Sequence, residues 1–191
     1  NLEGALTWAF TFEDQPYFAG QRTMSSAGID LPVLNVFRMF SKMGGQRVTA
    51  PSTGEVALDA MMKDGVRGAP DIAALAGLEA RKISVLVWHY HDDDVAGPPA
   101  AVELALAQLP AGTATARLSH YRIDETHSNS FTVWKSFGSP TSPNAAQYAQ
   151  MEKAGKLTPL ADPADVRIEN GAATLKFSLP RQAVSLLVLE W

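Results

Sequence analysis

The sequence contains no cysteine. This absence excludes disulfides, zinc–thiolate sites, iron–sulfur clusters and cysteine nucleophiles, although it leaves the cellular compartment open. Basic residues are also few, since 16 Lys and Arg stand against 20 Asp and Glu, for a net charge of -4. Because the chain has no basic tract, binding to nucleic acid has no electrostatic support.

Long apolar runs are missing as well. The two longest, residues 83–88 and 186–189, are far too short to span a bilayer, so the sequence predicts no membrane partner. With 46% hydrophobic and 19% charged residues, the 191-residue chain can still bury a core. It begins at Asn1, a strand pattern follows almost at once, and the sequence predicts no signal peptide. We therefore expect the C-terminal part of a longer polypeptide.

The first 45 residues have the pattern of one strand, one long loop and one helix. Residues 6–10 are a short apolar run typical of a buried strand, and residues 11–28 form a loop of the length that is usually functional. The helix is predicted over 31–43, with Asp30 as N-cap, Pro32 in its first turn and Gly44-Gly45 after it. Its apolar positions recur at helical spacing: Val33, Val36, Phe37, Phe40 and Met43. A single βα unit cannot form a core, and the commonest large fold that ends this way is a (β/α)8 barrel.

After residue 45 the pattern changes to short strands separated by turns. Residues 73–80 and 83–91 flank Arg81-Lys82 as a hairpin would, and Asn170-Gly171 is a strong turn dipeptide. Residues 174–179 alternate, and one helix is expected over 143–156. The predicted fold class is α/β plus all-β. The last βα unit of a (β/α)8 barrel (1–45) precedes an accessory β-sandwich domain with one helical insertion (46–191).

Two groups of residues in the N-terminal segment suggest recognition of a sugar. Trp8 offers an aromatic plane, and Glu13 and Asp14 offer carboxylates that accept hydrogen bonds from hydroxyl groups. Arg22, on the same predicted loop, could hold a carboxylate or phosphate with two parallel hydrogen bonds. The alternatives are a core tryptophan, two solvated acids and a surface arginine in an ion pair.

Two further polar segments suggest a metal site or a catalytic site at first sight. His89 and His91 point to the same face of a strand, a spacing that can chelate a metal, but no third ligand has a fixed spacing. Residues 122–129 hold Asp, Glu, His and Ser close together, yet a nucleophilic triad draws on separated segments. We therefore interpret residues 122–129 as a polar turn tied by local hydrogen bonds, and we predict no metal site.

Three segments in the same order resemble glycoside hydrolase family 39, the family of retaining β-xylosidases and α-L-iduronidase. Residues 6–10 followed by Phe12-Glu13-Asp14 resemble the last barrel strand and its Phe-Glu-Glu loop. Residues 28–39 are similar to the Gly-Ile-x-Lys-Pro segment that opens the last barrel helix, with Leu31 in place of Lys. Residues 123–129, then Trp134 and Gly138-x-Pro140, are similar to a pattern of the accessory domain.

The resemblance implies that this chain carries no catalytic residue. Both catalytic glutamates of the family lie on barrel strands upstream of Asn1, and the two-carboxylate mechanism requires neither cofactor nor metal. Trp8 would be the sugar platform, and Asp14 would match a sugar-binding glutamate of the family, with Glu13 its neighbour. The implied partners are a xylo-oligosaccharide or other small glycoside and the N-terminal remainder of the barrel.

The resemblance leaves substrate and class open. Phe18-Ala19 and then Gln21-Arg22-Thr23 are closer to the iduronidase pattern, in which the arginine holds the uronate carboxylate, although Gly20 is inserted here. Glu13 and Asp14 would instead repel a uronate. We favour a xyloside over a uronide. The rival class is a non-catalytic β-sandwich that binds carbohydrate through exposed aromatic side chains: Trp88, Tyr90, Trp134 and Trp191. An exposed apolar face on the 31–43 helix would argue for a missing barrel, and a fully packed one for the binding module.

Overall fold

The computed structural model describes residues 15–19 and 23–191. The described strands are β1 (Ser25–Ser26), β2 (Ile29–Asp30), β3 (Gln46–Val48), β4 (Asp71–Glu79), β5 (Lys82–Tyr90), β6 (Ala100–Leu106), β7 (Thr115–Ile123), β8 (Ala164–Arg167), β9 (Ala173–Leu179) and β10 (Ala183–Glu190). The helices are α1 (Pro32–Lys42), α2 (Leu58–Asp64), α3 (Ser130–Ser136) and α4 (Ala145–Ala154). The predicted strand over residues 6–10 lies outside the described part.

The strands form one large sheet and two small ones. The six-stranded sheet has the order β3-β4-β5-β10-β7-β8, while β6 pairs with β9 and β1 pairs with β2. The predicted hairpin over residues 73–91 is confirmed as the antiparallel pair β4–β5. Most residues of the central strands β5 and β10 are buried, because both faces of the six-stranded sheet are covered.

We call one side of the six-stranded sheet its strand-covered face. Here Val85, Val87, Leu187 and Leu189 meet the β6–β9 pair across a single apolar core. The predicted alternation of residues 174–179 is confirmed, since Leu175 and Leu179 point into this core while Thr174, Lys176 and Ser178 are exposed. Burial of these side chains is the main source of stability that the fold offers.

The opposite side is the helix-covered face, where α1 lies on the sheet. Met39 is fully buried against Leu86, Ile123 and Leu186, and Val36 and Met43 pack at the edges. The remaining apolar positions of α1 point away from the sheet: Val33, Phe37 and Phe40 are 45%, 40% and 45% exposed. The apolar positions predicted as one stripe therefore form two, and only one of them is covered within the described chain.

The start of α1 differs from the prediction. The N-cap is Leu31, which makes no side-chain cap, and Pro32 begins the helix. Asp30 belongs to β2 instead, and its carboxylate accepts hydrogen bonds from Arg38 and Lys156. The sequence could not indicate this choice, because both cationic partners reach Asp30 only after α1 and α4 have packed.

The single helical insertion predicted after residue 45 is wrong, because the structure has three helices there. The predicted helix over 143–156 is α4, whose Asn144 forms a capping box with Gln147. The other two, α2 and α3, have seven residues each, too few for a helical period to stand out in the sequence. In the described part of the chain, no helix is long and apolar enough to cross a membrane.

Candidate functional site

All four predicted substrate residues, Trp8, Glu13, Asp14 and Arg22, lie outside the described residues. The structure does describe residues 15–19 of the same predicted loop and the segment from Thr23 onward that leads into α1. The site can therefore be built from the side that supports this loop.

Phe18 is held by an aromatic cluster on α3. Its ring lies 4.9 Å from that of Trp134 and 5.7 Å from that of Phe131, measured between ring centroids, with interplanar angles of 35° and 59°. The rings of Phe131 and Trp134 are themselves 5.7 Å apart. Such offset and tilted pairs stabilise by about 0.5–1.5 kcal/mol each beyond the burial of area. The predicted loop is thus attached to a helix more than 100 residues away in the sequence.

The backbone of Phe18 adopts a conformation that non-glycine residues rarely take. Its φ angle is +58°, in the left-handed region, and its N–H donates to Ser26 Oγ at 2.7 Å. Such a conformation costs about 1–3 kcal/mol and persists where the surroundings hold it in place. Here the aromatic cluster and the Ser26 hydroxyl supply that hold.

The segment between Phe18 and α1 is supported by α4. The hydroxyl of Tyr148 donates to the carbonyl of Ala27 at 3.1 Å. At the end of the same helix, a Cβ on Gly155 would lie 2.7 Å from the carbonyl oxygen of Asp30, so only glycine allows this close approach. Helices α3 and α4 therefore hold the two ends of the described loop segment.

A buried asparagine joins α1 to this support. Asn35 is fully buried, and its Nδ2 donates to the carbonyls of Ser128 and Gly155 at 2.9 and 2.8 Å. Its Oδ1 accepts from Arg38 Nη1 at 2.9 Å. One side chain thus satisfies two buried carbonyls from the start of α3 and the end of α4.

Asp30 completes the network with an ionised carboxylate. Burial alone would raise the pKa of Asp30, but hydrogen bonds and charge from Arg38 and Lys156 outweigh it and hold that pKa below its ordinary value. The Arg38 and Lys156 nitrogens lie 2.8 and 3.2 Å from Asp30 Oδ2, and Ser130 Oγ donates to the Asp30 carbonyl at 2.6 Å. The β2 strand is therefore held from α1, α3 and α4 together.

The polar run 122–129 is a structural turn, as interpreted from the sequence. Asp124 is buried, and its Oδ1 accepts from the backbone N–H groups of Thr126 and His127, both at 2.8 Å, and from Thr126 Oγ1 at 3.1 Å. Burial alone would raise the pKa of Asp124, but these hydrogen bonds and the pairing with His127 hold it below its ordinary value. Asn129 then caps α3 by accepting from Thr132 N–H, so the turn fixes the helix that carries Phe131 and Trp134.

The two histidines that could have chelated a metal are both hydrogen-bonded within the protein. His89 is buried with Nδ1 3.0 Å from the carbonyl of Leu179. His91 Nδ1 accepts from Asp93 N–H, which leaves Nε2 to donate to the carbonyl of Arg67 at 3.2 Å. Among the residues that the structure describes, no cluster of three or more His, Asp or Glu is arranged to hold a metal ion.

The aromatic residues of the rival binding-module interpretation do not share one surface. Trp88 donates from Nε1 to Asp71 at 2.7 Å, near the end of β5 where Tyr90 is exposed. Trp191 pairs with Arg81, at the other end of β5, and Trp134 lies on α3 against Phe18. A flat platform made of all four residues is therefore absent.

A groove of about 600 Å³ lies beside α3, with Phe131 and Lys135 on one side and the turn at Arg181 on another. It carries both acceptors and donors, since Asp124 and Glu125 also line it. The Arg181 Nε is buried and has no hydrogen-bond partner among the described residues, and its Nη1 lies 3.4 Å from the carbonyl of Ala96.

Comparison with known proteins defines the class to which this architecture belongs. The family described as Glycosyl hydrolases family 39 matches residues 5–169. The chain belongs to that family, and the resemblance noted in the sequence is confirmed. Comparison with functionally curated proteins gives no significant match.

Solved structures of the family share this fold at low sequence identity. A β-xylosidase from Caulobacter crescentus CB15, described as monomeric, has a TM-score of 0.69 at 13% identity, over 92% of this chain and 34% of its own. The family 39 enzyme from Xanthomonas axonopodis pv. citri has a TM-score of 0.65 at 19% identity, over 85% of this chain and 31% of its own. A bacterial orthologue of human α-L-iduronidase has a TM-score of 0.68 at 20% identity, over 85% and 27%. The chain thus spans about a third of the length of these enzymes.

Sequence reasoning missed the residues that hold the loop. Phe18 gave no periodic signal because it lies in a loop, and Phe131 lies in a helix too short to be predicted. Asn35 did leave a signal, since it is a polar residue within the apolar pattern of α1, where a buried amide usually has partners to satisfy.

Proposed function

We propose that this chain is the C-terminal part of a retaining exo-β-1,4-xylosidase, which removes xylose from the non-reducing ends of xylo-oligosaccharides. The observation that carries the proposal is the family match over residues 5–169, because it includes the predicted loop that α3 and α4 support. No part of this chain supplies the reacting carboxylates. Its contribution is to bind the sugar and to hold the loop that does so.

The chemistry would come from two glutamates upstream of this chain, about 5–5.5 Å apart as in other retaining glycosidases. One carboxylate attacks the anomeric carbon and the bond to the leaving oxygen breaks, while the other carboxylic acid protonates that oxygen. The second group then takes a proton from water, and the water oxygen attacks the anomeric carbon. The bond to the first carboxylate breaks, which releases the sugar and restores both residues. The reaction needs two carboxylates and water.

In this chain, Trp8 would stack on the apolar face of the sugar, and Glu13 and Asp14 would accept hydrogen bonds from its hydroxyl groups. Asp14 is one methylene shorter than the glutamate that the family resemblance implies, so we expect its contact with the sugar to run through a water. A neutral xyloside suits these two acids, since a uronate would meet like charge.

A second candidate is a uronidase of the same family, and one observation favours it. Arg22, in Gly20-Gln21-Arg22-Thr23, matches the position at which the iduronidase pattern has its carboxylate-binding arginine. Planar guanidinium groups bind carboxylates through two parallel hydrogen bonds. The solved relatives do not separate the two candidates, since their likeness to this chain concerns the fold.

Hydrolysis of an aryl β-xyloside beside an aryl uronide, by the protein expressed from its complete reading frame, tests the proposal. Turnover of the xyloside supports it, and the variants Trp8→Ala and Asp14→Ala should then raise KM. Turnover of the uronide alone would transfer the assignment to the second candidate, and Arg22→Ala should then abolish it. If neither substrate is hydrolysed, the xylosidase proposal is wrong.

The proposed partner of this chain is the N-terminal remainder of its own barrel, which would cover the exposed stripe on α1. Val33, Phe37 and Phe40 together present a large apolar surface that nothing in the described chain covers. In the complete polypeptide, the double variant Phe37→Ser/Phe40→Ser should lower the free energy of unfolding by about 3–5 kcal/mol. In the 191-residue chain alone the same change should stay within about 0.5 kcal/mol. Equal effects in both would contradict this partner.

A further inference from the structure

The aromatic cluster on α3 lies at a decisive place on the predicted substrate loop. Phe18 follows Asp14 by four residues and precedes Arg22 by four. Four residues of extended chain reach no more than about 14 Å, so anything that fixes Phe18 limits where both side chains can lie. We propose that Phe131 and Trp134 are positioning residues for the substrate loop, which hold Phe18 and thereby set where its neighbours meet the sugar. The inference rests on the proposed function for the identity of that sugar.

Phe131 and Trp134, which we call the clamp, are themselves held in place by the rest of the protein. Trp134 donates from Nε1 to the carbonyl of Pro140 at 3.0 Å, so the indole is fixed in orientation as well as in position. Asn129 ties the start of α3 to the preceding turn by donating from Nδ2 to the carbonyl of Asp124 at 2.9 Å. Because the helix and the indole are both held, the contact can transmit position to Phe18 rather than merely follow it.

On the loop side of the contact, the backbone of Phe18 is also held in one conformation. Phe18 keeps a left-handed backbone, with its N–H bonded to Ser26 Oγ at 2.7 Å. A strained backbone that two independent contacts maintain is typical of a site where one geometry is needed. The residues that would touch sugar lie on the loop, whereas those that hold its shape lie on α3. The second group therefore acts on substrate only through the first.

The experiment compares Trp134→Ala with Trp134→Phe and Trp88→Ala in the complete polypeptide. Trp88→Ala is the matched control, because it removes the same indole and one Nε1 hydrogen bond, which runs to Asp71 on β4 and not to the loop or to α3. Hydrogen exchange of peptides covering residues 15–31 reports on the loop. The values of KM and kcat, measured with whichever aryl glycoside the wild-type enzyme hydrolyses, report on its function.

For Trp134→Ala we expect about tenfold faster exchange in residues 15–31 and about a tenfold rise in KM, as loss of an aromatic contact of this kind allows. The change in kcat should stay below about threefold, because substrate-binding contacts act on ground and transition states alike. Trp134→Phe should restore most of both effects. Trp88→Ala should leave the loop exchange and KM unchanged even where it lowers stability.

Two results would overturn the inference: loop exchange and KM both unchanged in Trp134→Ala, or an equal rise in KM in Trp88→Ala. If Trp134→Ala does not fold, Phe131→Leu replaces it, because this variant keeps bulk while removing the ring. Loop exchange and KM should then rise in the same direction but by less.

Failure of the proposed function looks different. In that case the wild-type enzyme hydrolyses neither glycoside. Hydrogen exchange in residues 15–31 that is slow in wild type and fast in Trp134→Ala would still support the clamp.

Discussion

The two faces of the six-stranded sheet are buried by different kinds of partner. On the strand-covered face, β6 and β9 close a broad apolar core around Leu179 and Leu187. On the helix-covered face, the apolar cluster around Met39 is small, and the hydrogen bonds of Asn35 and Asp30 do much of the joining. Apolar burial is non-directional, whereas hydrogen bonds fix angles and register. The difference indicates that the first face mainly stabilises the fold, while the second positions the loop.

The largest expected effect that tests this contrast comes from two adjacent leucines of β10. Leu186 points to the helix-covered face and Leu187 to the strand-covered face, and both are fully buried. We expect Leu187→Ala to lower the free energy of unfolding by about 4 kcal/mol, and Leu186→Ala by about 2–3 kcal/mol, because a single helix can settle into a cavity more easily than two sheets can. Urea denaturation measures both.

The matched control for this pair is Leu58→Ala, at a position that is 71% exposed on α2. It should change the free energy of unfolding by no more than about 0.5 kcal/mol. In Leu186→Ala, hydrogen exchange in α1 should become faster than the loss of overall stability explains. In Leu187→Ala it should rise only as much as that loss explains. A larger loss for Leu186→Ala than for Leu187→Ala would reverse the proposed contrast.

The strand-covered face contains one polar group whose titration can be measured. His120 Nε2 lies 2.9 Å from Ser185 Oγ, which also accepts from Arg122 Nε at 3.0 Å, beside the ring of Phe177. Burial and the nearby charge of Arg122 lower the pKa of His120 to about 4. The folded protein therefore resists protonation that the unfolded chain accepts at about pH 6.5.

The sign of this effect follows from proton uptake. Between about pH 6.5 and 4 the unfolded state binds more protons, so stability should fall as the pH falls, by at most about 3 kcal/mol. His120→Gln removes the titration and should flatten the pH dependence of the urea midpoint in this range. An unchanged slope in His120→Gln would show that another group is responsible.

On the helix-covered face, Asn35→Ala tests the hydrogen-bonded joint. The substitution leaves the carbonyls of Ser128 and Gly155 without their donor, and we expect a loss of about 2 kcal/mol. Ser41→Ala on the exposed side of the same helix is the control and should cost less than about 0.5 kcal/mol. Equal losses would mean that the Asn35 network adds little to the packing of α1.

The smallest expected effect comes from Asp30. Since the pKa of its carboxyl is depressed in the fold, its contribution is present above the unfolded pKa, near 4, and is lost as the pH falls through the lower folded value. Arg38 and Lys156 are partly exposed, so we expect Asp30→Asn to cost about 1 kcal/mol at neutral pH. The variant should also lose stability less steeply below pH 4, and a slope identical to wild type would contradict this assignment.

Some elements could be predicted from sequence because their signals are local. The β4–β5 hairpin shows in the sequence as the polar pair Arg81-Lys82 between two apolar runs, and α4 begins with an Asn–Gln capping box. The order of strands in the large sheet had no such signal. In the structure β10 lies between β5 and β7, and its pairing with β5 joins residues as far apart as Lys82 and Glu190.

The support of the candidate site could not be predicted for a similar reason. Phe18 meets Trp134 only because α3 is brought against the loop by the turn at Asp124 and by the packing of α1. The prediction of Asp30 as N-cap was wrong, and the carboxylate instead pairs with Arg38 on α1 and with Lys156, which follows α4. Each of these contacts depends on where several elements pack at once.

The sequence by itself determined the family, the absence of thiol chemistry, the amphipathic character of α1 and most of the long strands. These properties follow from residue types and from short-range periodicity, which act before the chain is folded. Only the tertiary structure decided that α1 has one covered and one exposed apolar stripe, that Asn35 joins three helices, and that α3 holds Phe18. Those outcomes depend on contacts between distant segments, and their geometry exists only after the two faces of the sheet have been covered.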